Sequence, residues 1–148
     1  MSHRRLLFLI PLLLFSAGAV RADGPSVSAS HVWIRQAPPG VEVMAGYLTL
    51  TNNTVHALTL SSISSPNFGS VAVHRTVQEH GMDNMQPVES LTLPPHASVV
   101  FAPSGYHLML MKPVKPLFED DLVTLTLTFS DHSSLTILAP VRRDSPRS

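Results

Sequence analysis

The chain reads as an all-β fold, a β-sandwich or small barrel. Three observations predict it. Several segments alternate apolar and polar residues with a period of two. Pro and Gly punctuate these segments at about ten-residue spacing, as in sandwiches and barrels. No long segment of residues 23–148 carries a helix-period apolar stripe.

The elements follow in order. "AGYLTLTNN", 45–53, is a strand closed by an Asn-Asn turn, and "HALTLSSISS", 56–65, is a second candidate. "SVAVHRTV", 70–77, and "ASVVFAP", 97–103, are further candidates. "YHLMLMKP", 106–113, places His107, Met109 and Met111 on one face and Tyr106, Leu108 and Leu110 on the other. "LVTLTLTF", 122–129, is the clearest strand, with Val123, Leu125, Leu127 and Phe129 facing one way and the threonines the other. After the turn "SDHSS", "LTILAPV", 135–141, repeats the pattern and completes a hairpin. "HGMDNMQPV", by contrast, reads as a Gly/Asn/Asp-rich loop.

Residues 1–22 read as a signal peptide rather than part of the fold. Arg4 and Arg5 are positive, Leu6–Phe15 is apolar and short for a membrane span, and Val20 and Ala22 are small residues before a cut at Asp23. Residues 23–148 then form one domain, exported, with its core at about 26–141 and no membrane span of its own. That part has seven Lys+Arg against ten Asp+Glu. No basic patch points to nucleic acid. There is no cysteine, which removes thiol catalysis and thiolate metal sites. A soft metal would have to be held by Met or His.

Four residues fit that chemistry: His74, Met85, His107 and Met109. Cu(I) is soft and accepts imidazole and thioether donors. Thioethers need lose no proton to bind. His107 and Met109 share a strand face, His74 ends another strand, and Met85 sits on the loop expected to fold over them. Three strand ligands and one loop ligand make a shallow site, suited to handing metal on. The alternative at this point is ordinary: Met is a common core filler, and a strand His is commonly a surface or hydrogen-bonded residue.

The spacing goes further. His74, ten residues, Met85, twenty-one residues, then His107-Leu108-Met109 resembles the signature of the periplasmic copper chaperones called PCuAC. "VWIRQAPPG", "AGYLTLTN", "MQPV", "GYHLMLM" and "LTLTF" fit that pattern in the same order, over about residues 26–141. The resemblance implies a cupredoxin-like β-sandwich or small Greek-key barrel that binds Cu(I) through His74, Met85, His107 and Met109. It implies a periplasmic metallochaperone, not an enzyme. Its partner would be a copper-accepting protein, notably the dinuclear copper site of cytochrome c oxidase. Two departures stand out. Arg75 follows His74 where many members have Met, and the chain ends in "VRRDSPRS" without a His/Met-rich tail, so a single principal copper site is expected.

Other readings are weaker. A blue-copper redox enzyme wants a Cys thiolate, which is absent. A structural or adhesive module would have His and Met merely packed. Met111 is expected to pack beside the site, and His80 and Met82 to sit on the Met85 loop. His31, His56, His96 and His132 read as surface residues, Met44 as core and Trp33 as a core or rim aromatic. "FEDD", 118–121, reads as a solvated turn rather than a hard-cation site, and "NNT", 52–54, is only formally a glycosylation sequon.

Overall fold

The computed structural model describes residues 24–146, so the expected signal peptide lies outside the described residues. Among these residues ten strands make up the secondary structure: β1 Val27–Arg35, β2 Val43–Asn52, β3 Leu58–Ser64, β4 Phe68–Glu79, β5 Met82–Pro87, β6 Leu91–Leu93, β7 Ser98–Phe101, β8 Tyr106–Pro113, β9 Leu122–Phe129 and β10 Ser134–Arg142. Their order is β5-β4-β8-β7-β2-β1-β10-β9-β3-β6, with β8 also paired directly to β2. The pairings are antiparallel except β1 with β10 and β7 with β8. The expected all-β sandwich is therefore present. Its two layers are joined through β1, whose last residues, Ile34 and Arg35, run beside Val141 and Arg142.

The layers close over one core. Ile34, Leu48, Leu50, Leu108 and Leu110 come from one, and Leu93, Val123, Leu125, Leu127, Phe129 and Val141 from the other; all are almost fully buried. Period two explains the choice, because alternate residues of β2, β8 and β9 point inward. Gly46 is needed where β2 crosses Leu108. A Cβ there would meet Leu110 Cδ1 at 3.1 Å and Leu108 Cβ at 3.2 Å. Asn52 is the buried polar hub. Its Nδ2 donates to the carbonyls of His56, Leu93 and Pro94, and its Oδ1 accepts from the amide and hydroxyl of Thr54. Being wholly buried, it does not offer its amide as a sequon would require.

Three strands depart from the sequence reading. β1 is split by an irregularity between Ser30 and Trp33, with His31 at φ 52°, so its alternation is broken. β6 has only three residues. β5 replaces the expected loop over Met85. Every β5 residue is exposed, so no apolar alternation marks it. It pairs with β4 without a break, through a turn at His80 (φ 53°) and Gly81 (φ 78°).

"FEDD" and the tail explain each other. Asp120 pairs with Arg142, and Glu119 with Arg143 at 3.2 Å. The acids hold the end of β10 rather than a cation.

Candidate metal centre

The outer face of β5, β4 and β8 gathers the four residues. His74 lies directly opposite His107, Ala72 opposite Met109, and Thr76 opposite Met85. Residues 72, 74 and 76 alternate to the same face of β4, so all four side chains share it. His74 stands within β4, not at its end, and Met85 is on a strand, so all four are strand residues. The small Ala72 leaves room beside Met109. Met111 lies one row further, opposite Ser70 and Val43.

The two imidazoles lie side by side on this face. Their rings stack with centroids 6.1 Å apart and planes 21° from parallel. His107 is 4% exposed. Its Nδ1 is 3.2 Å from the Gly105 carbonyl, which can only accept, so Nδ1 carries a proton, and in the neutral ring the lone pair is on Nε2. Nε2 of His107 and Nδ1 of His74 are both buried without a hydrogen-bond partner. Such orphaned buried nitrogens are costly unless something binds them. Burial, and then the neighbouring His107, lower the pKa of His74 below its ordinary 6.5 and favour the neutral, ligating form. The Gly105 carbonyl is the one participant that the sequence reading missed. It also accepts the Thr76 amide at 3.1 Å, so one backbone group ties β4 to the His107 ring. A carbonyl orienting a ligating His is a common second support.

The methionines differ in placement. Met109 is half-buried beside His107, whereas Met85 is 61% exposed. Met85 is one row beyond His74 in one direction, and Met109 one row beyond in the other. In a flat sheet their Cα atoms would stand about 16 Å apart. One ion cannot bridge them unless the β4–β5 hairpin curls over the face.

The remaining candidates fall away from this face. Arg75 alternates to the opposite side, where its guanidinium lies 5.5 Å from the centre of the Tyr106 ring. Its replacement of a Met therefore leaves the ligand face unchanged. His80 is in the hairpin turn, and Met82 pairs with Glu79 on the face opposite to Met85. His31, His56, His96 and His132 are exposed; three of them, His31, His96 and His132, have positive φ. Met44 is core, and Trp33 is buried against Tyr47 with ring centroids 4.9 Å apart. Among the described residues, no group of three or more His, Cys, Asp or Glu could hold a metal, so no hard-donor site competes. A cleft of about 480 Å³ between residues 36–42 and 113–118 holds none of the four.

Comparison with known proteins gives the family and the fold. The family model described as LpqE-like matches residues 27–141. A protein of Leifsonia xyli subsp. xyli, named as a lipoprotein, is 32% identical over 82% of this chain and 72% of its own length. The solution structure of CuI-DR1885 from Deinococcus radiodurans is 29% identical, with a TM-score of 0.64 over 86% of this chain and 84% of that one. The copper-bound PCuAC domain from PmoF2 is 24% identical, with a TM-score of 0.68 over 80% of this chain and 94% of that domain, and shares the fold.

Proposed function

From the chain's place in the LpqE-like family, to which it belongs, we propose that it is a Cu(I) carrier that binds its cargo through His74, His107, Met109 and Met85. The observation that carries this reading is the pair of buried, unpartnered imidazole nitrogens, one on each of two stacked rings that share a sheet face. Thioethers flank them, and that donor set favours Cu(I) over Zn(II) or Cu(II). The solved relative DR1885, described with CuI, supports the same cargo.

His74 and His107 supply neutral lone pairs, and Met109 adds a thioether from the same strand. Met85 joins last, because it is exposed and must move with its hairpin. The ion changes hands by ligand exchange, with no change of oxidation state and no substrate turned over. We place this work in the periplasm, after removal of residues 1–22, with the dinuclear copper site of cytochrome c oxidase as the acceptor. The relative named as a lipoprotein fits export.

The test is an anaerobic Cu(I) competition titration of residues 23–148 against a coloured chelator. One ion per chain is expected, lost in the His107→Ala, Met109→Ala double variant. Failure of the wild type to compete would mean that these side chains only pack. Met85→Ala should weaken binding by less than His107→Ala does.

A further inference from the structure

The free edge of β5 says how a partner docks, and this inference rests on the copper-transfer reading above. Among the described residues, β5 ends the sheet and pairs only with β4. The Thr76 amide donates towards β8, to Gly105, and the Val88 amide donates to Val73 at 2.9 Å. In an antiparallel ladder the direction of these groups alternates residue by residue. Val73, Arg75 and Val77 therefore face β5 and are answered by Val88, Gln86 and Asn84. The N–H and C=O of Asp83 and Met85 point the other way, to the open edge. Met85 thus turns its thioether to the copper face and its backbone to solvent.

The edge is lightly guarded. Its pairing runs unbroken from Met82 to Pro87, with no bulge and no Lys; only Pro87 closes one end. Its charge is acidic. Glu79, Asp83 and Glu89 are exposed on and beside β5, while the nearby Arg75 is drawn against Tyr106. A second copy pairing β5 with β5 would bring two acidic sets together.

We propose that the copper acceptor adds an extended segment to β5 as an antiparallel strand, with Lys or Arg flanks and a central Met or His. Bonding to Met85 puts the partner's soft side chain directly across from it, with Cβ atoms about 5 Å apart, on the face of His74 and His107. A Cu–S bond to Met85 then breaks as a bond to the partner forms, and no electron moves. The rows give the route: His107 and Met109 hold, His74 spans, and Met85 releases.

The probe is a capped peptide, Lys-Lys-Thr-Val-Met-Val-Thr-Lys, added to Cu(I)-loaded protein. Asp83→Pro deletes one outward N–H and leaves the backbone bonds to β4 in place, losing only the side-chain bond from Gln78. The same peptide N-methylated at its Met blocks pairing from the other side and leaves the protein intact. Slowing of amide exchange at Asp83 and Met85 by more than tenfold is expected with peptide bound. Transfer to the peptide should be at least tenfold slower for Asp83→Pro and for the N-methyl peptide, with Cu(I) affinity of Asp83→Pro within twofold of wild type. Wild-type transfer rates in both, or unprotected amides, overturn the proposal. A peptide-free dimer abolished by Asp83→Pro overturns it in favour of self-pairing. Loss of Cu(I) binding by the wild type sinks the carrier reading itself, which the chelator titration reads separately.

Discussion

His107 shows how one side chain can be both structural and chemical. It is buried, yet only one of its nitrogens is satisfied, by the Gly105 carbonyl. A His kept merely for packing would be better replaced by an apolar residue, since an unpaired buried acceptor costs about 1–3 kcal/mol. His74 makes the same point through its acid–base behaviour. Burial and the facing His107 lower its pKa, so the unfolded chain takes up this proton at higher pH than the folded chain does. Its contribution to metal-free stability is complete above about pH 6.5 and is lost as pH falls through the lowered folded value. The check is to compare urea midpoints of wild type and His74→Gln at pH 8 and pH 5. The wild type should lose more between them than the variant; equal losses would mean that the ring is freely solvated.

At the scale of elements, β8 carries the fold and the site on opposite faces. Leu108 and Leu110 are core, while His107 and Met109 form the outer face, and period two alone makes that division legible in the sequence. β9 and β10 are legible for the same reason. β5 is not, because a strand exposed on both faces has no reason to alternate. Its existence depends on the ladder to β4, a non-local fact. β1 is hidden by its irregularity near His31. The gathering of His and Met donors on one face was readable from chemistry and spacing, whereas the Gly105 carbonyl was not, since a backbone acceptor leaves no side-chain signal. Nor could composition reveal Asn52 as a clasp between the end of β2 and the carbonyls after β6. Asn52→Ala leaves the carbonyls of His56, Leu93 and Pro94 without this donor and the Thr54 amide without its acceptor. It should cost about 2–4 kcal/mol by urea unfolding, with Cu(I) affinity of the folded protein unchanged.

For the whole molecule, what matters is where the cargo sits relative to the core. The sandwich closes through β1 and β10, and its buried layer lies under β2, β8 and β9. The metal face lies towards the other end of the sheet, on β8, β4 and the wholly exposed β5. Elements with few buried contacts open locally at low cost, so β5 should be among the first parts of the sheet to fray. Binding an ion there ties the weak edge to the strong centre. At free Cu(I) of a hundred times Kd, linkage adds about 2.7 kcal/mol to global stability, or about 10 °C in Tm for a domain of this size. The global gain is shared by every amide that exchanges through full unfolding. Those that exchange through fraying of the hairpin gain only if Met85 is itself a ligand. The amides of Asn84 and Gln86, which face β4, report this directly. They should exchange more slowly in the Cu(I)-loaded wild type and return to the metal-free rate in Cu(I)-loaded Met85→Ala. If the loaded Met85→Ala protein protects them equally well, the ion is held by His74, His107 and Met109 alone, and the hairpin plays no part in holding it.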